Sequence, residues 1–248
     1  AAYTPITAWA KQGIYTPTNQ ESDYKLLYLE SPDEVTIVKA LANKSAFPKG
    51  ELEIPETING KKVVAIADEA FTSLFNDVGF SGEVIIPKYI KYIGNGAFSS
   101  NPNITKVTFN EGIKYIGNGA FSNTGITGTL VLPNSLEVLE QYAFEGCPNI
   151  EKVIIKGNLQ AIPYGAFSSN ANLTSVEIGE GVEYISQYAF NKCEKLNNVF
   201  LPSSIKEIGS KAFSNTDSLE NLIIYSKNVE YMEHDNKNTT IYLYGDSK

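Results

Sequence analysis

The chain has 248 residues and a formal net charge of -8, with 42% hydrophobic and 19% charged residues, the composition of a folded protein. Its acidity argues against nucleic acid or an anionic membrane as the main partner, since both select a basic face. All 20 cationic side chains are Lys, so the guanidinium fork used for bidentate phosphate or carboxylate recognition is missing, and no apolar run reaches the roughly 18 residues of a membrane span.

Taken in order, residues 1–49 show no internal rhythm. Ala1-Ala2-Tyr3 has neither the basic start nor the apolar core of a signal peptide, so it is either the remnant of a cleaved leader or an arbitrary boundary. Trp9, Tyr15, Tyr24, Leu27 and Tyr28 supply apolar weight. Tyr24 to Leu29 and Glu34 to Val38 flank the turn sequence Ser31-Pro32-Asp33, which predicts a β-hairpin. The segment is expected to be an N-terminal cap or, alternatively, a separate binding module.

From residue 50 to the C-terminus an Ala-Phe pair recurs. Its phenylalanines are Phe71, Phe98, Phe121, Phe144, Phe167, Phe190 and Phe213, spaced by 23 residues from Phe98 onward. A fixed period of this size predicts a solenoid whose coils bury a shared core. Aliphatic columns stand 9, 11, 15 and 18 residues after each Phe, as at Val153, Ile155, Leu159 and Ile162. Columns two apart share one face of a strand, and the stretch running into Ala-Phe predicts one helical or 3₁₀ turn. The first interval is longer by four residues; Leu74, Phe75 and Phe80 in that insertion are expected to pack against the cap, with a functional bulge as the rival reading. After Phe213 the pattern decays, and residues 239–244 predict a last strand with Ile241 and Leu243 inward.

Three residues after each Phe stand Asn101, Thr124, Cys147, Asn170, Cys193 and Thr216, small groups able to hydrogen-bond in a buried turn. The two cysteines lie two coils apart, roughly 10 Å and beyond bridging distance, which predicts free buried thiols.

These residues carry a resemblance. The pattern Val-x-Ile/Leu-Pro-x-x-Ile/Leu-x-x-Ile/Leu-Gly-x-x-Ala-Phe-x-x-Cys/Asn-x-x-Leu, as from Val199 to Phe213, resembles the BspA-like (Treponema-type) leucine-rich repeat of bacterial surface proteins. Glu53 to Gly60 followed by Val63 to Phe71 is similar to that family's entry repeat, and the resemblance covers about residues 50 to 225. It implies an α/β solenoid: a right-handed leucine-rich-repeat array of short parallel strands, with short helical or 3₁₀ turns on the convex side. It also implies a cell-surface or extracellular location and an adhesive, non-enzymatic role, with no catalytic residues to carry over.

Reading for chemistry gives little. His234, the single histidine, lies in the polar stretch Glu233-His234-Asp235-Asn236 with no nucleophile motif nearby. Neither zinc-ligand spacing nor a calcium loop is present, and no cofactor is expected. Gly94-Asn95-Gly96 and Gly117-Asn118-Gly119 hint at a phosphate loop, but the third glycine is missing and the repeat explains them as turns. Glu111 and Glu180 share a column three coils apart, roughly 14 Å by strand spacing and too far for a glycosidase pair.

The candidate site is therefore a surface. The column 10 residues after Phe faces outward on the concave side: Ile85, Thr108, Val131, Ile154, Glu177, Phe200 and Ile223, mostly apolar. Lys106, Thr129, Lys152, Ser175, Asn198 and Asn221 border it. An apolar strip with a polar rim suits protein contact, although β-branched residues favour strands regardless of exposure. The expected partner is a protein, which the family resemblance implies to be either host matrix or another bacterial surface protein. Tyr92, Tyr115 and Tyr184 form a second surface column that leaves a glycan-binding alternative open.

Overall fold

The structure, a computed structural model, describes residues 11–17, 24–42, 52–74, 82–226, 229–231 and 239–244. Each coil consists of a longer strand, a turn, a strand of two residues and the Ala-Phe turn. The longer strands run parallel in two groups, first Gly82–Ile85 with Ile104–Thr108, then six strands from Gly128–Leu132 through Thr240–Leu243. On the neighbouring side, Tyr92–Ile93, Tyr115–Ile116 and Val138–Leu139 extend the sheet begun by Lys61–Ile66. Ala161–Ile162, Tyr184–Ile185, Glu207–Ile208 and Glu230–Tyr231 form another.

The phenylalanines form the spine. The rings of Phe71 through Phe213 stack in sequence, with centroids 4.8 to 5.7 Å apart and planes within 9°. All seven are buried, in one apolar cluster that reaches from Tyr24 to Ile224. Isolated aromatic pairs favour offset or edge-to-face contact over this arrangement. Here the strand spacing sets the distance between successive rings.

The polar column completes the interior. Asn101 Nδ2 donates to the carbonyls of Phe71 (2.7 Å) and Phe98 (2.9 Å), and Asn170 does the same for Phe144 and Phe167. Cys147 Sγ donates to Phe121 O and Cys193 Sγ to Phe167 O, each at 3.2 Å across to the preceding coil. Thr124 and Thr216 donate within their own coil, to Phe121 O and Phe213 O, and Thr124 Oγ1 also lies 3.3 Å from Cys147 Sγ in the next coil. Both thiols are free and buried, in keeping with the register.

The helical turns expected on one side are not there: among the described residues the Ala-Phe segments are hydrogen-bonded turns without a helix. Two causes are visible. The residue two before each Phe (Glu69, Gly96, Gly119, Tyr142, Gly165, Tyr188, Lys211) has φ of 57 to 60°, and the residue two after has φ of 51 to 64°. Such left-handed residues interrupt a right-handed helix. Moreover, the amides that a helix would turn inward along its own axis point to the next coil, Phe98 N to Ala120 O and Phe121 N to Ala143 O, both at 2.8 Å. The α/β class thus gives way to a solenoid of strands and turns.

Each sheet is interrupted once, for a local reason. Six residues after Phe the column reads Ile104, Thr127, Ile150, Leu173, Leu196 and Leu219; Thr127 alone is exposed, and Ile126 takes the buried place. This slip of one residue brings Gly125 so close to the preceding coil that a Cβ would lie 2.0 Å from Pro102 O. The long strands therefore pair anew from Gly128, while Phe109 spans the gap, its ring edge-on to Phe121 (5.5 Å) and Phe144 (6.4 Å). On the short-strand side, Gly94, Gly117, Glu140, Ser186 and Gly209 each donate their amide to the coil before. The residue in that column in the remaining coil is Pro163, which has no N–H to give, and the sheet divides between Val138–Leu139 and Ala161–Ile162.

At the N-terminal side, Tyr24–Glu30 and Glu34–Ala42 form the expected antiparallel hairpin, its turn held by Ser31 N to Glu34 O at 2.9 Å. Lys11–Tyr15 adds a third strand, and Glu34–Ala42 runs parallel to Lys61–Ile66, so this meander is continuous with the solenoid sheet. Leu74, expected against the cap, is partly buried against the core cluster; Phe75 and Phe80 lie outside the described residues. Thr240–Leu243 pairs parallel to Asn221–Ile224 with Ile241 against the core. Leu243, expected inward, is 54% exposed because no described coil covers it.

Candidate functional site

In parallel strands with a constant register, residues one period apart become lateral neighbours. The strip accordingly forms as one row: Val131 beside Ile154, then Glu177, Phe200 and Ile223. Tyr242 ends it as a sixth member. Sequence reading missed this tyrosine because it follows Ile223 by 19 residues and so falls out of the period. Five strand spacings of about 4.8 Å make the row roughly 24 Å long. Val131, Phe200 and Tyr242 are exposed at 38, 42 and 43%, while Ile154, Glu177 and Ile223 are partly buried between neighbours.

Thr129, Lys152, Ser175, Asn198, Asn221 and Thr240 lie alongside as a polar border. The one charge in the row is held by that border, with Lys152 Nζ 2.9 Å from Glu177 Oε1. An ion pair this accessible contributes little stability, but it offsets the carboxylate within the apolar row. Ile85 does not join the others. It pairs with Thr108, across the slip at Thr127, in a polar patch where Thr108 Oγ1 donates to Glu83 at 2.6 Å and Lys106 pairs with the same carboxylate.

The tyrosine column divides as well. Tyr92 and Tyr115 are adjacent, their rings 6.5 Å apart, but Tyr184 lies beyond the Pro163 interruption between Ala161 and Glu207. The Tyr115 hydroxyl donates to Glu140 at 3.3 Å; burial, then the Glu140 charge, pushes this phenol up to about 12. Three other tyrosines, Tyr142, Tyr164 and Tyr188, do meet, with neighbouring centroids 5.5 and 5.3 Å apart. They stand two, three and two residues before their phenylalanines, so a strict column does not register them. The signal that could have found them is Pro163, which displaces the middle one.

Among the described residues no reactive group emerges elsewhere. Burial pushes the Cys147 thiol up to about 11 and the Cys193 thiol to about 12, which keeps both as neutral donors. The amides of the Gly94 and Gly117 turns serve the stacking of coils: Asn95 N donates to Asp68 Oδ1 and Asn118 N to Asn95 Oδ1. His234 lies outside the described residues. Among the described residues no group of three or more His, Cys, Asp or Glu side chains could hold a metal ion, and no helix is long and apolar enough to cross a membrane.

The model of the BspA type leucine rich repeat region matches in six copies, over residues 28–129, 64–178 and 127–238. Among solved structures, a leucine-rich repeat protein of T. pallidum is similar at 25% identity with a TM-score of 0.65, over 77% of this chain and 86% of its own. One from Bacteroides ovatus is similar at 18% identity with a TM-score of 0.57, over 98% of this chain and 67% of its own, and that likeness concerns the fold. No curated protein matches the chain.

Proposed function

Given that the chain belongs to the BspA-type leucine-rich repeat family, we propose that it is a non-enzymatic display scaffold that docks a protein partner on the outward row of its long strands, at the surface of a bacterial cell or outside it. One observation carries this reading: the register sets Val131, Ile154, Glu177, Phe200, Ile223 and Tyr242 side by side across consecutive strands, five apolar or aromatic residues and one carboxylate, with a polar border. Apolar centres with polar rims are the anatomy of protein interfaces. Because hydrogen-bonded strands hold the row in place, little ordering entropy is lost on binding. Ile154, Phe200 and Ile223 act as the anchors. The family's adhesive role supplies the partner class, host matrix or another bacterial surface protein. In this reading the strands Lys11–Tyr15, Tyr24–Glu30 and Glu34–Ala42 belong to a cap of residues 1–49 that covers the first coil.

The test is Phe200→Glu, which sets a charge at the middle of the row. Binding to a panel of immobilised matrix proteins, and self-association by sedimentation, should both be compared with the parent protein. Loss of either supports the row as the site; no change in both removes it. The glycan reading through Tyr92, Tyr115 and Tyr184 is the weaker one, because these three are divided between two sheets and the Tyr115 hydroxyl already serves Glu140.

A further inference from the structure

A second site lies on a different side of the coil, at the turns that precede phenylalanine. Where other coils continue their short-strand ladder, Pro163 cannot, and the segment Pro163-Tyr164-Gly165 advances its tyrosine by one position. Tyr142 and Tyr188 then flank Tyr164 from the coils on either side, each ring steeply inclined to it at 75 and 67°. Gly165 makes this possible: a Cβ there would lie 2.5 Å from the Tyr142 ring. The three rings with Glu145, Asn191 and Lys192 line a cleft of about 260 Å³ whose walls are mostly polar.

Two features define what such a cleft accepts. The Glu145 carboxylate is partly buried, and among the described residues it has neither an ion pair nor a hydrogen-bond donor; burial alone raises its pKa. It lines the cleft as an acceptor. One carboxylate, Glu145, and one ammonium, Lys192, line the cleft from coils two apart, and Lys211 Nζ already stands 6.0 Å from the centroid of the Tyr188 ring, where a cationic ligand would seek its π face. A carboxylate acceptor among phenol rings fits a neutral polyhydroxylated ring, which donates hydroxyls to the carboxylate and lays its C–H face on tyrosine.

We propose that Tyr142, Tyr164, Tyr188 and Glu145 form a subsite for one pyranose unit of a neutral glycan, separate from the protein-docking row and independent of it.

The experiment uses the full chain with four neutral trisaccharides, chitotriose, cellotriose, maltotriose and mannotriose, by saturation-transfer NMR and titration calorimetry. At least one should bind in the millimolar range or tighter. Tyr164→Ala should weaken that binding roughly tenfold or more, the loss of one ring contact. Glu145→Gln retains the shape and should weaken it several-fold with an unchanged melting temperature, so that an unfolded Tyr164 variant would not leave the matter open. Phe200→Glu should bind sugar as the parent does, whatever it does to protein binding. The proposal is overturned if none of the four sugars binds, if Glu145→Gln binds equally well, or if tetramethylammonium binds more tightly than every sugar.

Discussion

Replacing Phe144 by Ala removes the middle ring of the stack. That ring is fully buried, 5.2 Å from Phe121 and 5.7 Å from Phe167, with the edge of Phe109 at 6.4 Å. Buried Phe→Ala changes cost about 3–5 kcal/mol, the spread reflecting how far the site collapses. Collapse is hindered here, because the backbone on both sides is fixed by amide ladders, Phe121 N to Ala143 O at 2.8 Å and Phe144 N to Ala166 O at 2.9 Å. The upper half of the range is therefore expected, about 4–5 kcal/mol. For a chain of this size each kcal/mol lowers Tm by about 2–4 °C, which gives a fall of roughly 8–20 °C. A thermal melt followed by circular dichroism or calorimetry reads it directly. If Phe144→Ala melts within about 2 °C of the parent, the stack does not carry the core and the reasoning fails.

Gly125→Ala should destabilise by at least about 2 kcal/mol, since its methyl group would meet the rigid carbonyl of Pro102 rather than a movable side chain; a urea titration that shows no shift would refute the close approach. The thiols make stability depend on alkaline pH. The folded state holds Cys147 near 11 and Cys193 near 12, above the ordinary value of 9.0, so the unfolded chain loses these protons first. Their contribution is present in full below the unfolded value and falls as pH rises from about 9 toward about 11 for Cys147 and about 12 for Cys193. Cys147→Thr, which places there the residue found at 124 and 216, should fold and flatten that slope. Ellman's reagent should find both thiols silent until the chain unfolds; rapid modification of the native protein would contradict their burial.

Much of this architecture is legible from spacing alone. With Phe98 to Phe213 in strict step, residues one period apart must be neighbours, so the ring stack, the polar column and the row through Ile154 and Phe200 all follow from arithmetic. What spacing does not reveal is where the backbone amides point. Nothing about Tyr142 or Lys211 announces a left-handed backbone, and it is that conformation, with amides directed between coils, that replaces the expected helical turns. Departures from the pattern carry the remainder. Thr127 in an aliphatic column separates Ile85 from the other strip residues, and Pro163 separates Tyr184 from Tyr92 and Tyr115 while assembling a different tyrosine group. Both residues stand openly in the sequence, but each reads as noise until its neighbours in space are known.

The two sheet interruptions are offset by one coil. Opposite the gap at Thr127, Tyr115–Ile116 and Val138–Leu139 remain paired; opposite the gap at Pro163, Gly128–Leu132 and Ile150–Ile155 remain paired. A fracture that starts at either seam therefore runs into closed hydrogen bonds on the far side, and it must also part the phenylalanine column that passes through both levels. The array has no plane of cleavage and should come apart as a single body, much as staggered joints keep a brick wall from splitting along one line.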